Sequence, residues 1–386
     1  MRPGAVVLLR AALAVATIPA FTSAPALAQP PGAKATQVYI GTLGKEGIFG
    51  ARLDPETGQL STPAPLVDIE RPSWLALDPN RPILYSVSET GNEGEAQGGV
   101  YSLGIDPATG GLKVISRVAS GGGGATYLSY DARLQTVFVA NYGGGQVAAV
   151  PVNTDGSLQP ASSIQTDTGR GPNPKQNMAH AHGATADPSG HFVLTPDMGA
   201  DRVFVRRYDA ASKTLSPGDP PFVDTGPATG PRHLVFSPDG RFVFVLTELS
   251  AEVRSFRWDR QAGRLKQIQA LPIDRPDFTG VRSAAEIVIS KDGRYLYVSN
   301  RAEDTLLVFA VNRKRGTFVQ KQVIACGGHI PRSLGIDPSG RWLLVANENS
   351  KTLTEFKIGK ADGELTPSGA PIAFDTPPVS FAFYPG

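Results

Sequence analysis

Two short apolar runs separated by a tight polar turn recur along the chain. In residues 233–248, HLVFSPDGRFVFVLTE, the turn Ser-Pro-Asp-Gly separates two β-rich runs. Short runs rich in Val, Ile, Phe and Tyr, bounded by Gly, Pro, Asn and Asp, are typical of paired antiparallel strands. The same phrase occupies residues 75–89, 127–142, 183–197, 286–301 and 333–348, and a truncated copy, SFAFYPG, ends the chain.

The copies recur at a regular period. Taking the first turn residue as an anchor, they are separated by 47 to 56 residues, with anchors at Asp78, Asp131, Asp187, Ser237, Ser290, Asp337 and Tyr384. Each unit contains four strand-like runs. Four strands per unit of this length are typical of a β-propeller blade, so the sequence predicts an all-β, seven-bladed β-propeller over residues 29–386.

The two ends of the chain complement each other. The last copy has only its first strand, and the three missing runs, TQVYIGTLG, GIFGARLD and QLSTPAPLVDI, lie near the N-terminus. We therefore expect a last blade built from both termini, which closes the ring and leaves no open sheet edge. A stacked solenoid is the alternative, but it requires capping units, and the sequence has no evident candidates.

Residues 1–28 have the organisation of a secretory signal peptide. This segment contains Arg2 and Arg10 and no acidic residue. An apolar run follows at residues 11–21, and Ala26-Leu27-Ala28 then forms an A-x-A cleavage site. This predicts cleavage after Ala28 and a periplasmic or secreted protein. An uncleaved N-terminal anchor is the alternative. No later stretch is apolar and long enough to predict a membrane span.

Composition narrows the choice of partners. The 37 Lys and Arg residues balance the 35 Asp and Glu residues, and removal of Arg2 and Arg10 makes the balance equal. We expect no nucleic-acid partner, because no basic excess exists. We also expect a monomer. The single cysteine, Cys326, excludes an internal disulfide or a cysteine metal cluster, and is either a buried packing residue or a nucleophile.

The repeat predicts the location of a site. The start of the first strand and the end of the second lie on the same face of the ring, so polar residues at those offsets converge on one mouth of the central channel. Five residues before the anchor stand His182, Arg232 and Arg332. Eleven residues after it stand Glu89, Tyr142, Met198, Glu248, Arg301 and Glu348, and ten residues after it stand Asn141, Asp197, Asn300 and Asn347. The alternative is that these Arg and Glu side chains pair across blades.

Two of the five histidines form a His-x-His pair. His180 and His182 point the same way if their segment is extended, because the side-chain period of a strand is two. Such a pair can bind a metal, but no partner carboxylate is singled out by the sequence, and we predict no metal and no cofactor. By the same alternation, His233 is expected to face away from its neighbour Arg232.

The sequence resembles a known family. The stretch GPNPKQNMAHAHGATADPSGHFVLTPDMGADRV, together with residues 138–158, 229–249, 284–301 and 331–348, is similar to the seven-bladed β-propeller lactonases, which include 6-phosphogluconolactonases, and to carboxy-cis,cis-muconate cyclases. The resemblance covers essentially the whole chain after residue 28. It implies a carboxylic-ester hydrolase that is metal-independent and acts on a sugar-type lactone.

The resemblance also implies site residues. Matched by position, the catalytic candidates are His182, Arg232, Glu248 and Arg301. The offsets and the His-x-His pair add five candidate substrate-binding residues: Arg332, His180, Asn141, Tyr142 and Glu348. Ala179 and Ala181 depart from the prolines that usually precede the two histidines in the family, and Thr247 stands where Asn is usual.

Lactone hydrolysis needs a base for water, a stabilised oxyanion and a proton for the leaving alkoxide. His182 or Glu248 is the candidate base. An arginine beside a carboxylate lowers the pKa of the carboxylate and makes it a weaker base, so we favour His182 as the base, with Glu248 assisting. Arg232 and Arg301 suit an oxyanion or a carboxylate substrate. Two other functions stay open: a non-catalytic propeller that binds a ligand or protein, and a lactonising cycloisomerase.

Overall fold

The computed structural model describes Met1, residues 35–92 and residues 97–385. Among these residues the chain forms 28 β-strands in seven four-stranded antiparallel sheets, and no helix long and apolar enough to cross a membrane. The predicted seven-bladed propeller is confirmed. The predicted signal peptide, residues 1–28, falls outside the described residues apart from Met1.

Six blades are continuous in sequence, and we number them in chain order. Blades 1 and 2 contain β4 (Leu75–Leu77), β5 (Ile83–Ser88), β6 (Gly99–Ile105), β7 (Leu112–Ala119), then β8 (Ala125–Asp131), β9 (Thr136–Asn141), β10 (Gln146–Pro151) and β11 (Ser163–Thr166). Blades 3 and 4 contain β12 (Thr185–Ala186), β13 (Phe192–Asp197), β14 (Arg202–Asp209), β15 (Thr214–Asp224), then β16 (Pro231–Phe236), β17 (Phe242–Thr247), β18 (Glu252–Asp259) and β19 (Arg264–Pro272).

Blades 5 and 6 follow the same plan. They contain β20 (Ala284–Ile289), β21 (Tyr295–Asn300), β22 (Thr305–Asn312), β23 (Thr317–Ala325), then β24 (Pro331–Ile336), β25 (Trp342–Asn347), β26 (Thr352–Ile358) and β27 (Leu365–Ala373). The first strand of a blade contacts the first strands of neighbouring blades, so these strands surround the central channel.

The seventh blade joins the two ends of the chain, as predicted. Its strand order is β28 (Pro378–Tyr384), β1 (Thr36–Thr42), β2 (Ile48–Leu53) and β3 (Ala64–Val67). Antiparallel pairs such as Val38 with Phe383 and Ile40 with Phe381 link β1 to β28. The ring is therefore closed by hydrogen bonds between strands that are over 300 residues apart in sequence.

The hydrophobic core lies between the blades. One cluster of buried residues occupies each of the seven interfaces; that between blades 4 and 5, for example, includes Phe244, Leu296 and Phe309. At the closing interface the Trp342 ring packs on Gly58 (φ +77°), where a Cβ would approach the ring to 2.5 Å. Only glycine fits this turn, which explains part of the glycine content.

Candidate active site

A β-bulge recurs where the first strand of a blade begins. Pro231 pairs with Thr247 and His233 pairs with Leu246, which leaves Arg232 as an extra residue on its strand. The same bulge inserts Thr126, Arg332 and Val379 in blades 2, 6 and 7, and two residues, 285 and 286, oppose one in blade 5. Bulges re-aim side chains, so the alternation of a regular strand does not apply here.

The bulge brings two consecutive residues into the channel. Arg232 and His233 both line a small cavity at its centre, together with Ser73, Trp74, Thr126, His182, Arg332 and Val379. The expectation that His233 faces away from Arg232 is therefore wrong, because it assumed regular alternation. The cavity measures about 10 Å³, which is about the space that one water molecule requires.

Glu248 is the centre of a charged cluster at the mouth. Its Oε2 lies 3.2 Å from Arg232 Nε and 2.8 Å from Arg301 Nη2, and its Oε1 lies 3.6 Å from Lys175 Nζ. Glu248 and Arg232 are only 6% and 3% exposed. Burial acts to raise the pKa of Glu248, but the adjacent cations outweigh it and hold that pKa below its usual value. Glu248 is thus an ionised carboxylate at neutral pH.

The backbone fixes these side chains in a repeated way. The N–H of Glu248 donates to Gly230 O at 2.7 Å, and the N–H of Arg301 donates to Ser283 O at 2.9 Å. Equivalent bonds in other blades place Glu89, Tyr142 and Glu348, which donate to Arg71, Gly124 and Ile330. Residues eleven after the anchor are therefore held at the mouth, as the repeat predicted.

One of the two arginines beside Glu248 keeps a free donor. Arg301 Nε is buried and has no partner among the described residues, whereas Arg232 Nε faces the Glu248 carboxylate at 3.2 Å. Burial, together with the charge of Arg301, lowers the pKa of Arg232 to about 10, so this guanidinium remains protonated at neutral pH. An unused N–H group on Arg301, next to a second buried cation, forms a strong site for negative charge.

Arg332 of blade 6 lines the same cavity as Arg232 and forms its own ion pairs at the mouth. Its Nη1 lies 3.1 Å from Glu348 Oε2, and its Nη2 lies 3.7 Å from Glu89 Oε2. The Glu248–Arg301 and Arg332–Glu89 pairs connect different blades, so the alternative that these groups pair across blades also holds. Pairing and the formation of a polar mouth occur together in this structure.

His182 is a buried imidazole with an unused nitrogen. Its side chain is 6% exposed, and Nδ1 has no partner within the described part of the chain. Burial, with the nearby charges of Arg232 and His233, lowers the pKa of His182 well below its usual value. His182 is therefore neutral at physiological pH and is able to accept a proton.

Comparison with known proteins agrees with this architecture. Residues 37–381 match the family described as "Lactonase, 7-bladed beta-propeller". The chain belongs to this lactonase family. It is 34% identical to the 6-phosphogluconolactonase of Bacillus subtilis over 331 residues, which cover 85% of this chain and 93% of that protein. It is 28% identical to the 6-phosphogluconolactonase of Formosa agariphila over 323 residues, 83% and 90% of the two chains.

A solved structure is similarly close. The periplasmic gluconolactonase of Pseudomonas aeruginosa superimposes on this lactonase-family propeller with a TM-score of 0.84 at 34% identity, covering 91% of this chain and 99% of the other. The predicted family is thereby confirmed.

His180 and Tyr142 form a support for His182 in the lactonase-family chain. His180 Nδ1 lies 2.9 Å from Tyr142 O and its Nε2 lies 3.1 Å from Asn177 Oδ1. The Tyr142 ring stacks on His180 at 4.4 Å and meets His182 edge-on at 5.5 Å. Both histidines thus lie beside Tyr142, whose pKa is raised to about 12 by burial.

Asn141 differs from the other predicted binding residues. It is fully buried inside blade 2, where its Oδ1 accepts from Ser120 Oγ at 2.6 Å and its Nδ2 donates to Ser120 O at 3.1 Å. Asp197, Asn300 and Asn347, which stand at the same offset in their blades, are fully buried as well. Residues ten after the anchor therefore hold the blade together, whereas residues eleven after it reach the mouth.

Several channel residues were not predicted. Trp74, Tyr127, His233 and Glu286 each stand four residues before an anchor, and reading that offset would have found them. The His233 ring lies 5.0 Å from Trp74, 5.2 Å from Tyr127 and 5.0 Å from His182. Lys175 was also missed, because it belongs to the irregular segment between β11 and β12.

The described residues contain no group of three or more His, Cys, Asp or Glu side chains placed to hold a metal ion. Cys326 is buried, and its Sγ donates to Gly328 O at 3.2 Å. Burial raises the pKa of the Cys326 thiol to about 11. A protonated thiol is a poor nucleophile, which favours the packing role for this residue.

Proposed function

We propose that this protein hydrolyses a sugar lactone to the open-chain sugar acid at the mouth around Glu248. The observation that carries the proposal is the contact of one buried carboxylate with two arginines, Arg232 at 3.2 Å and Arg301 at 2.8 Å, beside the neutral imidazole of His182. The family membership and the relatives named 6-phosphogluconolactonase support the same reaction.

The arginines are suited to the oxyanion. When water attacks the lactone carbonyl, negative charge develops on the carbonyl oxygen, and the buried guanidinium groups of Arg232 and Arg301 are the candidate donors to it. Arg301 Nε has no partner among the described residues. Preorganised donors of this kind commonly contribute about 10²–10³ in rate each. Glu248 keeps both guanidinium groups in place and offsets their charge while the mouth is empty of substrate.

A histidine imidazole is the group best suited to the proton transfers. Glu248 is ionised, and both of its carboxylate oxygens lie against cations, Oε2 against Arg232 and Arg301 and Oε1 against Lys175, so neither oxygen is free to accept a proton from water. His182 is neutral and buried, and its Nδ1 has no hydrogen-bond partner among the residues that the structure describes. We therefore assign proton transfer at the mouth to histidine and the fixed negative charge to Glu248.

We further propose that the substrate is an unphosphorylated lactone met outside the cytoplasm. The arrangement of residues 1–28 supports export, with cleavage after Ala28. The similar structure from Pseudomonas aeruginosa carries the description periplasmic gluconolactonase. Expression of the full chain in a bacterium tests export: the periplasmic protein should begin at Gln29, and a cytoplasmic protein that retains residue 1 would contradict it.

Activity is tested with purified residues 29–386. Acid release from D-glucono-1,5-lactone and from its 6-phosphate is followed with a pH indicator, and cyclisation of a muconate is followed by ultraviolet absorbance. We expect hydrolysis of both lactones, with the higher kcat/KM for the unphosphorylated one. His182→Ala, Arg232→Ala and Glu248→Ala should each lower turnover, and unchanged turnover in all three variants would refute the site. Muconate cyclisation alone would indicate a cycloisomerase.

A further inference from the structure

A second histidine lies beneath the mouth and is held by a carboxylate. His233 Nδ1 lies 2.9 Å from Glu286 Oε1, and the two side chains are 3% and 5% exposed. His233 belongs to β16 and Glu286 to β20, so the contact joins blades 4 and 5 next to the channel. The bulges at both strands place these residues inward.

The contact sets the tautomer of the imidazole. Glu286 Oε1 also accepts the N–H of Ile287 at 3.1 Å, so it is an acceptor, and His233 Nδ1 is the donor. The lone pair of His233 then resides on Nε2. This atom is buried and has no hydrogen-bond partner among the described residues. A carboxylate that fixes one ring nitrogen and leaves the other free is the arrangement that orients a general base.

The surroundings provide a place for the water. His233 lines the cavity of about 10 Å³ that also touches His182, Arg232 and Arg332. A volume of this size admits about one water molecule and excludes a sugar. A lactone at the Arg232–Arg301 side of the mouth would therefore meet a water located between it and His233.

The two histidines differ in what stabilises their charged forms. His182 has the positive charge of Arg232 near it and no carboxylate bonded to its ring in the described structure. His233 faces Arg232 and Arg332 as well, but Glu286 contacts its ring directly and counteracts them. An imidazolium formed during the reaction is thus better stabilised at His233 than at His182.

We propose that the His233–Glu286 pair is the water-activating dyad of this lactonase, acting from the cavity beneath the mouth. This inference rests on the proposed function. His233 Nε2 takes a proton from the water as its oxygen bonds to the lactone carbonyl carbon, and the carbonyl oxygen becomes the oxyanion held by Arg232 and Arg301. Re-formation of the carbonyl breaks the ring C–O bond, and the His233 imidazolium returns the proton to that ring oxygen.

The test uses D-glucono-1,5-lactone with His233→Ala, Glu286→Gln and the matched control Ser333→Ala, which changes the same repeat position in blade 6. His233→Ala should lower kcat about 10²–10⁴-fold, the usual contribution of a positioned base, with KM changed less than about threefold. Added imidazole should raise the kcat of His233→Ala at least about tenfold, because it fits the space vacated by the side chain. Glu286→Gln, which preserves the packing, should also lower kcat, and Ser333→Ala should be unchanged.

The outcomes separate the dyad from the overall function. A wild-type protein that hydrolyses the lactone, with kcat of His233→Ala within about threefold of it, overturns the dyad and leaves the function intact. A loss without imidazole rescue, accompanied by weaker gluconate binding in calorimetry, also overturns it and assigns His233 a role in shape. A wild-type protein inactive on both lactones overturns the function and the dyad together.

Discussion

Arg232 Nη1 lies 3.4 Å from Nδ1 of His233, the next residue in the chain, and both side chains enter the central channel. The bulge between Pro231 and His233 makes this possible, since it gives the strand one extra residue. A permanently charged guanidinium is thereby placed against a buried imidazole cluster that includes His182, 5.0 Å from His233. The cluster is kept neutral, which is the state that a base requires.

The first prediction concerns this electrostatic effect. Arg232→Gln should raise the pKa of His182, because burial and the Arg232 charge lower it in the native protein. Protonated imidazole cannot accept a proton, so the acid limb of residual kcat/KM should move to higher pH. Histidine titration by NMR measures the shift directly. Arg241→Gln, which changes an exposed arginine paired with Asp239, is the control and should leave the titration unchanged.

The second prediction concerns stability at the mouth. Glu248→Gln keeps the shape but leaves Arg232 and Arg301 without their shared carboxylate, and loss of one partner from a buried ion pair typically costs about 3–5 kcal/mol. Glu56→Gln, which affects an exposed pair with Arg341, should cost much less. Urea unfolding of both variants gives the comparison. Equal losses would indicate that the Glu248 contacts contribute no more than surface pairs.

Because the pKa of Glu248 is lowered in the folded protein, its contribution should be present above the pKa of the unfolded chain and lost as pH falls through the folded value. The free-energy difference between the parent and Glu248→Gln should therefore shrink in acid.

The third prediction concerns Glu355, which lies on β26 with Oε1 buried and unpartnered in the described structure. Burial raises its pKa from 4.5 to about 7, so the folded protein binds a proton more tightly than the unfolded chain. The ionisation of Glu355 therefore lowers the free energy of unfolding progressively as pH rises from 4.5 to 7. Glu355→Gln should raise the free energy of unfolding at pH 8 by on the order of 1 kcal/mol. At pH 4 the difference should vanish, and a constant difference at all pH values would contradict the titration.

The fourth prediction concerns closure of the ring. A chain ending at Asp375 lacks β28, which provides the innermost strand of blade 7 and, through Val379, part of the channel wall. We expect its thermal unfolding to be no longer cooperative, because β1 becomes an unpaired edge strand and the interfaces of blade 7 with blades 6 and 1 lose the residues of β28. A chain ending at Pro385 keeps β28 and should melt like the parent. A cooperative transition in the shorter chain would show that closure contributes little.

The sequence was sufficient to predict the closed ring of blades and some of the residues at the mouth. The period of the strand–turn–strand phrase predicted seven blades and the shared last blade, because each copy obeys local strand and turn preferences. The offset eleven after the anchor placed Glu248, Arg301 and Glu348, since one backbone hydrogen bond repeats there.

The same pattern failed where local rules are broken. The bulge at Arg232 depends on how β16 pairs with β17, and alternation therefore gave His233 the wrong side. Asn141 was grouped with its neighbour Tyr142, although a one-residue shift turns its side chain into blade 2. Lys175 comes from an irregular segment, whose path depends on tertiary contacts rather than on the repeat.

The account is tested most directly by one rate comparison on D-glucono-1,5-lactone. Arg232→Gln/Arg301→Gln removes both arginines beside Glu248, while Arg241→Gln/Arg294→Gln removes two exposed turn arginines, paired with Asp239 and Asp292. We predict that the first variant loses at least about 10³-fold in kcat/KM, because donors to an oxyanion contribute about 10²–10³ each and are not additive. The second should retain wild-type activity. Equal activity of the two variants would contradict the assignment of lactone hydrolysis to this mouth.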